Sequence, residues 1–218
     1  MSKTKGLALL CFGLYLAASQ SYAALATSGS VFLWAEPGSW VGGGIGAERV
    51  TWTHGVEGIF SVGRNSDQGV SVSFDDQSWW SFQFAAPTYD PLTNTNNGVE
   101  LSIGFYDLAT RFPFNSPTRP GFSFSGNGRG NNRLGAWFNV LEVVYGPNNE
   151  VLKFAADFRQ FDESEDMSGP STYGSLRINS DIPLNPVPVP PALALLGTCL
   201  AFLVRAVKPQ RSRRPANP

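Results

Sequence analysis

Between its two ends this 218-residue chain shows one hydrophobic period, and that period is two. Val70, Val72 and Phe74 alternate with Ser71, Ser73 and Asp75, while Val50, Trp52 and His54 alternate with Arg49, Thr51 and Thr53. Successive side chains of a strand point to opposite faces, so each such segment has one apolar and one wet face. Outside the terminal segments apolar residues nowhere hold a 3.6 period for three turns, so helices cannot form the frame. Further strands are expected at Val31–Trp34, Gly58–Val62, Trp79–Phe84, Val99–Phe105 and Tyr173–Asn179. Asp75-Asp76-Gln77 reads as a hairpin turn, and Asp90 to Gly98, rich in Asn, Thr and Pro, as a loop.

A longer hairpin is expected around Gly146-Pro147-Asn148-Asn149. Its first strand places Trp137, Asn139, Leu141, Val143 and Tyr145 on one face and Phe138, Val140, Glu142 and Val144 on the other. Its second alternates Phe154, Ala156, Phe158 and Gln160 with Lys153, Ala155, Asp157 and Arg159. Roughly ten short strands joined by Gly, Asn and Pro turns predict an all-β domain over residues 24–182, a jelly-roll-like β-sandwich.

The ends follow other rules. Lys3 and Lys5 precede an apolar stretch from Gly6 to Ala18, and Ser21 and Ala23 supply the small residues of a cut after Ala23. That pattern is a secretory signal peptide over residues 1–23. At the other end lies a proline spacer, residues 183–191, with Pro183, Pro186, Pro188, Pro190 and Pro191. Alternating prolines favour extended polyproline II, which has no internal hydrogen bonds. An uncharged apolar run from Ala192 to Val204 follows, predicting a membrane helix over 192–207. It is shorter than the roughly 20 residues of a usual span, so it crosses only by drawing in Pro190 and Pro191 and letting Arg205 snorkel. Arg205, Lys208, Arg211, Arg213 and Arg214 then hold a basic tail, residues 208–218, on the cytoplasmic side.

The tripartite order resembles the PEP-CTERM/VPLPA-type sorting tail. Pro186-Val187-Pro188-Val189-Pro190-Pro191 occupies the motif position, with Val where the Pro-Glu-Pro core has Glu, as in VPLPA-like variants. The resemblance implies an exosortase-like transpeptidase as processing partner, the Sec translocon for export from a Gram-negative cell, and transient inner-membrane anchoring. The protein then reaches the cell surface or the extracellular matrix. An ordinary tail anchor is the alternative reading of the same segment.

Charge and cysteine usage narrow the body. Seven of the sixteen Lys and Arg lie in the two ends, while all seventeen acidic residues lie between Glu36 and Asp181, leaving a body net charge near −8. An acidic body argues against nucleic acid and an anionic membrane surface as partners. The only cysteines, Cys11 and Cys199, fall in the ends, so the body depends on packing and has neither disulfides nor thiolate chemistry.

Chemistry-bearing groups are few. Gly42-Gly43-Gly44-Ile45-Gly46 resembles a phosphate loop but lacks the Lys-Ser/Thr pair and the following helix, so it reads as a connection between strands. His54, the sole histidine, lines a strand face, and zinc has no ligand cluster. Glu142, Asp157, Asp75 and Asp76 are carboxylates on or near strands, read as solvated; only their spatial separation could make a glycosidase pair. Asp162-Glu163-Ser164-Glu165-Asp166 offers oxygen ligands of the kind Ca²⁺ takes but lacks a spaced Asp/Asn-Gly pattern, so an exposed charged turn is the favoured reading. No other cofactor is implied. Trp79 and Trp80 are adjacent, so on a strand one faces the core and the other solvent, where its ring could stack on a sugar. Arg111, Arg129, Asp157 and Arg177 are candidates for ion pairs that pin strands, and Ser125-Gly-Asn-Gly-Arg-Gly for a tight loop that pins the fold or offers amides to an anion.

A second resemblance rests on Tyr106–Phe114, Pro120–Asn132, Phe154–Gln160 and Tyr173–Ser180. Together they are similar to an uncharacterised bacterial secreted β-domain with GxGRG and FAADFxQ motifs. The resemblance implies an envelope location and a bridge between two cysteines, at whose places this chain has Asn131 and Phe161-Asp162. It implies no activity. The expected function is therefore an exported structural or adhesive envelope protein. A carbohydrate-binding module for exopolysaccharide and a glycan-active enzyme are the alternatives.

Overall fold

The computed structural model describes residues 24–96 and 98–185. The expected signal peptide, the motif Pro186–Pro191, the membrane helix, the membrane-stop cations and the basic tail lie outside these residues. Within them the fold is all-β, with eleven strands. In chain order these are β1 (Ala24–Leu25), β2 (Gly29–Ala35), β3 (Arg49–Thr53), β4 (Ile59–Arg64), β5 (Val70–Asp75), β6 (Trp79–Ala85), β7 (Gly104–Arg111), β8 (Gly121–Gly126), β9 (Leu134–Tyr145), β10 (Val151–Asp162) and β11 (Ser171–Ile178). No helix among the described residues is long and apolar enough to cross a membrane.

The expected division into two sheets is not how the strands pair. Hydrogen bonding links all eleven into one sheet, ordered β1-β4-β5-β6-β8-β7-β9-β10-β11-β2-β3. Every pairing is antiparallel except β7 with β8, a two-residue parallel contact at Thr110–Gly121 and Arg111–Phe122. Right-handed twist accumulated over so many strands curls the sheet into a half-barrel around its own apolar face. Trp52 of β3, at one end of the order, thereby stacks on Phe74 of β5 with ring centroids 4.8 Å apart and 7° between planes. Phe84 of β6 meets Phe154 of β10 at 4.9 Å, and Phe122 of β8 meets Phe158 of β10 at 5.0 Å. Each fully buried ring contributes about 1.5–3 kcal/mol, which lets the body dispense with disulfides.

Most expected strands appear where alternation put them, with three corrections. Val99–Phe105 is not a strand; pairing begins only at Gly104, and Leu101 instead turns into the core from a loop tied by its amide to Gln68 O. Phe122 and Phe124 of the Pro120–Asn132 run form a core strand. The long hairpin also switches faces. Ala156 pairs with Val140 but Ala155 with Glu142, so Leu141 is an extra, bulged residue. Phe138 and Val140 face the core before the bulge, and Val143 and Tyr145 pack against it afterwards, because one added residue inverts the alternation. Opposite, Phe154, Ala156, Phe158 and Gln160 all face inward as expected. Gln160 donates to Phe124 O (3.0 Å) and accepts from Phe124 N (2.8 Å), so both polar atoms of its buried amide have a partner.

Candidate functional site

Alternation along β6 separates the two adjacent tryptophans. Trp80 is buried at 2 % exposure, tilted against Trp52 and stacked on Phe124 at 5.4 Å. Trp79 faces solvent at 59 % exposure. Trp80 is therefore a core residue and not a free ligand-stacking ring, although one edge of it floors a cleft.

That cleft is built by a turn. Gly126 and Arg129 bridge, and between them Asn127 (φ 49°) and Gly128 (φ 71°) both take the left-handed conformation. Asn-Gly suits this geometry because Gly has no Cβ and Asn tolerates the region. The turn reaches outward in two directions. Asn127 N donates to Trp79 O at 3.0 Å and its side-chain amide to Gly44 O at 3.0 Å. Arg129 Nη1 donates to Trp40 O at 2.9 Å, and its guanidinium lies 4.7 Å from the Trp40 ring, which is 52 % exposed. A Cβ on Gly44 would stand 3.0 Å from Arg129 Cδ and 3.2 Å from Trp80, so the glycine-rich segment lies close against both. It forms a pinned 3₁₀ turn, Gly42–Ile45. The result is an open cleft of about 620 Å³ lined among others by Ile45, Trp52, Glu57, Asp76, Ser78 and Asn127. Glu57 accepts from Thr53 N (2.6 Å) and Asp76 from Ser78 N (2.5 Å), so each carboxylate is held by a backbone amide. The cleft thus has an aromatic floor of Trp52 and Trp80 and polar walls that include the Glu57 and Asp76 carboxylates.

The segment carrying Trp40 is anchored from beneath. Buried Asp162 accepts from Ser39 Oγ (2.5 Å), Val41 N (3.3 Å) and Asn131 Nδ2 (2.7 Å). Ser39 also meets Thr172 Oγ1 at 2.9 Å. Arg159 pairs with Glu36 at 2.6 Å, and Glu36 also accepts from Ser171 N and Oγ. The positions at which the resemblance puts two cysteines are thus in contact, joined by an Asn131–Asp162 hydrogen bond.

The acidic run does not gather around a common point. Asp162 turns inward, Glu163 accepts from Asn132 N (2.7 Å), and Asp166 accepts from Ser164 and Ser168. The Ser164 and Ser168 hydroxyls, followed by the Ser168 amide, hold the Asp166 carboxyl below the usual carboxylate range. Among the described residues no three metal-ligating side chains converge.

Of the four residues expected to pin strands by ion pairs, two pair with each other. Arg177 Nη2 lies 2.9 Å from Asp157, with side chains 3 % and 13 % exposed. Arg111 instead donates to Asn132 O and lies over Phe114, and Arg129 serves Trp40 as described. His54 Nδ1 accepts from Phe60 N at 3.1 Å, closing the β3–β4 turn. Glu142 accepts from Ser180 Oγ (2.5 Å) and faces Lys153 at 3.7 Å. Asp75 is exposed at the end of β5.

Sequence reasoning missed what covers β11. All eight residues of that strand are buried, on both faces. Asn179, at φ 51°, reverses the chain and accepts from Thr27 and Ser28, and residues 180–185 return as a strap over the outer face. Arg177 Nε donates to Pro183 O (3.1 Å), Asn185 N to Ser175 Oγ (2.9 Å) and Tyr173 Oη to Asn185 O (3.1 Å). Apolar positions in Ser180–Asn185 are too few to show a period. The one available signal was the unbroken burial implied by Tyr173-Gly-Ser-Leu-Arg-Ile, where both faces carry large side chains.

No family model, no curated protein and no solved structure matches the chain.

Proposed function

We propose that this chain is an exported envelope protein whose β-domain is carried to the cell surface or extracellular matrix by a C-terminal sorting tail. The observation that carries the reading is the order of segments in the sequence: basic and apolar residues before small Ser21 and Ala23, an acidic cysteine-free body, then prolines, an uncharged apolar run and a basic tail. An exosortase-like enzyme reads the proline motif, Ala192–Val204 holds the substrate in the inner membrane, and the Arg and Lys cluster stops translocation. Within the domain, the two limbs of the curled sheet act as the layers of a jelly-roll-like sandwich, a reading supported by the rings of β6 and β10 meeting across the core. Intact-mass analysis of the exported protein tests the proposal. A species starting at Ala24 and lacking the basic tail is expected; mass extending to Pro218 outside the cell overturns it.

A second reading is favoured by the exposed ring of Trp79 at the start of β6: the domain binds neutral exopolysaccharide. Affinity electrophoresis in such a polymer should show retardation that Trp79→Ala removes without changing the melting temperature. Equal mobility of parent and variant sinks this reading.

A further inference from the structure

We propose that a pocket beside the parallel β7–β8 contact is an anion site that takes the carboxylate of an acidic sugar unit. The pocket measures about 290 Å³, and Arg111, Arg119 and Arg133 all line it. In an acidic body that gathering is set apart by how the other cations are used. Arg64 pairs with Glu100, Arg159 with Glu36 and Arg177 with Asp157, while Lys153 faces Glu142 and Asp181, and Arg49 faces Glu48. Arg129 serves Trp40. The remaining three arginines form no ion pair among the described residues, and they share one pocket. Its single carboxylate, Glu165, pairs with none of them. The larger cleft over Trp80 has the opposite character, with Glu57 and Asp76 in its walls and no Lys or Arg.

The arginines come from three places that the fold ties together. Arg111 ends β7, Arg119 lies in the loop before β8, and Arg133 stands immediately before β9. The loop is folded on itself: Phe114 N donates to Arg111 O (2.8 Å), Arg119 N to Ser116 O (2.9 Å) and Asn115 Nδ2 to Arg119 O (3.1 Å). Its two ends are joined by Thr110 N to Pro120 O and Phe112 N to Phe122 O, each 3.0 Å. Arg111 Nη1 donates to Asn132 O at 3.2 Å, which binds the segment carrying Arg133 to the end of β7. That bond uses one of five guanidinium N–H groups and leaves the others for a ligand.

A guanidinium fork matches a planar carboxylate, two bonds at a time. The rest of the lining suits the sugar that carries it. Thr110, Ser116 and Asn132 bring two hydroxyls and an amide, and Phe114, 73 % exposed, brings a flat apolar ring. Ligand sites run from about 300 Å³ upward, so a pocket of this size holds one sugar unit and not a length of chain. The net charge of the body does not forbid it. Charges are screened over about 8 Å at physiological ionic strength, so a small ligand in the pocket meets the arginines, whereas a long, densely charged polyanion meets the acidic surface as well.

Isothermal titration calorimetry of the full chain with sodium glucuronate tests the site. Glucuronate should bind saturably and more weakly as salt is raised, and glucose at the same concentration should not bind. Sulfate, which meets the arginines but gains nothing from the neutral side chains, should bind at least about fivefold more weakly. Arg119→Gln and Arg133→Gln, both at exposed positions, should each weaken glucuronate about fivefold and together abolish its binding. Glu165→Gln, which removes the carboxylate of the lining, should tighten it about threefold. Trp79→Ala should change nothing, so the fate of this site and that of neutral-polymer binding through Trp79 are separate results. If the double arginine variant melts at a lower temperature than the parent, the tightening by Glu165→Gln decides. Absence of glucuronate binding, equal affinity for sulfate, or equal affinity in the parent and in these variants overturns the proposal.

Discussion

Both faces of the β10–β11 pair are covered, fully over β11 and in part over outer β10, but by different physics. Inside, Phe154 and Phe158 meet Phe82, Phe84, Phe122 and Phe124 in a continuous apolar layer. Outside, Arg177, Asp157, Ser175 and Tyr173 bind one another and the strap through directed polar contacts. The inner layer tolerates small shifts and supplies most of the stability. The outer layer stabilises little in net terms yet has one acceptable arrangement, since each polar group that loses its partner there is stranded. Stability comes from one side of these strands, and the path of the C-terminal segment from the other.

The hardest blow to this division is Phe158→Ala. It removes a ring in contact with β6 and β8 and leaves a cavity beneath Gly174, so urea unfolding should show a loss of about 4 kcal/mol. A loss near 1 kcal/mol would mean that the inner layer collapses to fill the gap and is less ordered than its ring geometry implies. Next comes Arg177→Met, which leaves the Asp157 carboxylate buried with Ser175 Oγ alone and frees Pro183 O. The expected cost is about 3 kcal/mol. The double variant Asp157→Leu/Arg177→Met should return to within about 1 kcal/mol of the parent, because the single variant's penalty is mostly an unpaired charge. If single and double variants are equally unstable, Arg177 acts by holding the strap and not by neutralising Asp157.

The inner face was legible because it is periodic. Val70-x-Val72-x-Phe74 and Phe154-x-Ala156-x-Phe158 need only a period of two to be placed, and the split between Trp79 and Trp80 follows from the same rule. The rule failed where one residue broke it. The bulge at Leu141 reversed the faces of Val143 and Tyr145, and no local signal distinguishes a bulge from regular alternation in Leu-Glu-Val-Val-Tyr. Single-sheet pairing was hidden because β7 joins β8 by only two residue pairs, across a loop whose own composition does not choose a neighbour. The outer face was illegible for a different reason. Arg177 and Asp157 are recognisable as a charged pair, but Pro183 and Asn185 contribute main-chain atoms, and every residue has those. The same holds for the cleft, where Arg129 and Asn127 act on the carbonyls of Trp40 and Gly44.

The smallest expected effect sharpens the comparison most, because half-buried Tyr145 of β9 packs on the inner layer and buried Tyr173 of β11 lies in the outer one. Burial pushes both the Tyr145 and Tyr173 phenols well above the usual tyrosine range; the Arg64 guanidinium partly opposes this at Tyr145, whereas the Asp157 charge adds to it at Tyr173. A folded-state value raised above the unfolded one means that the fold favours the neutral phenol. That contribution is complete below about pH 10, where unfolded tyrosines ionise, and is lost as pH rises from there toward the folded values. Absorbance titration at 295 nm should therefore show both phenols ionising late. Tyr145 packs against the core, with its hydroxyl on Leu101 O and the Arg64 guanidinium 3.7 Å from its ring, so it can ionise only as the sheet opens. Tyr173 is covered by the strap, which opens locally at lower cost. The Tyr173 step, identified by its absence in Tyr173→Phe, should precede the loss of circular dichroism, while the Tyr145 step should coincide with it. Tyr173→Phe itself should cost about 1 kcal/mol, the net worth of its bond to Asn185 O. Were both steps to coincide with unfolding, strap and sheet would be a single cooperative unit, and the two faces would differ in chemistry but not in stability.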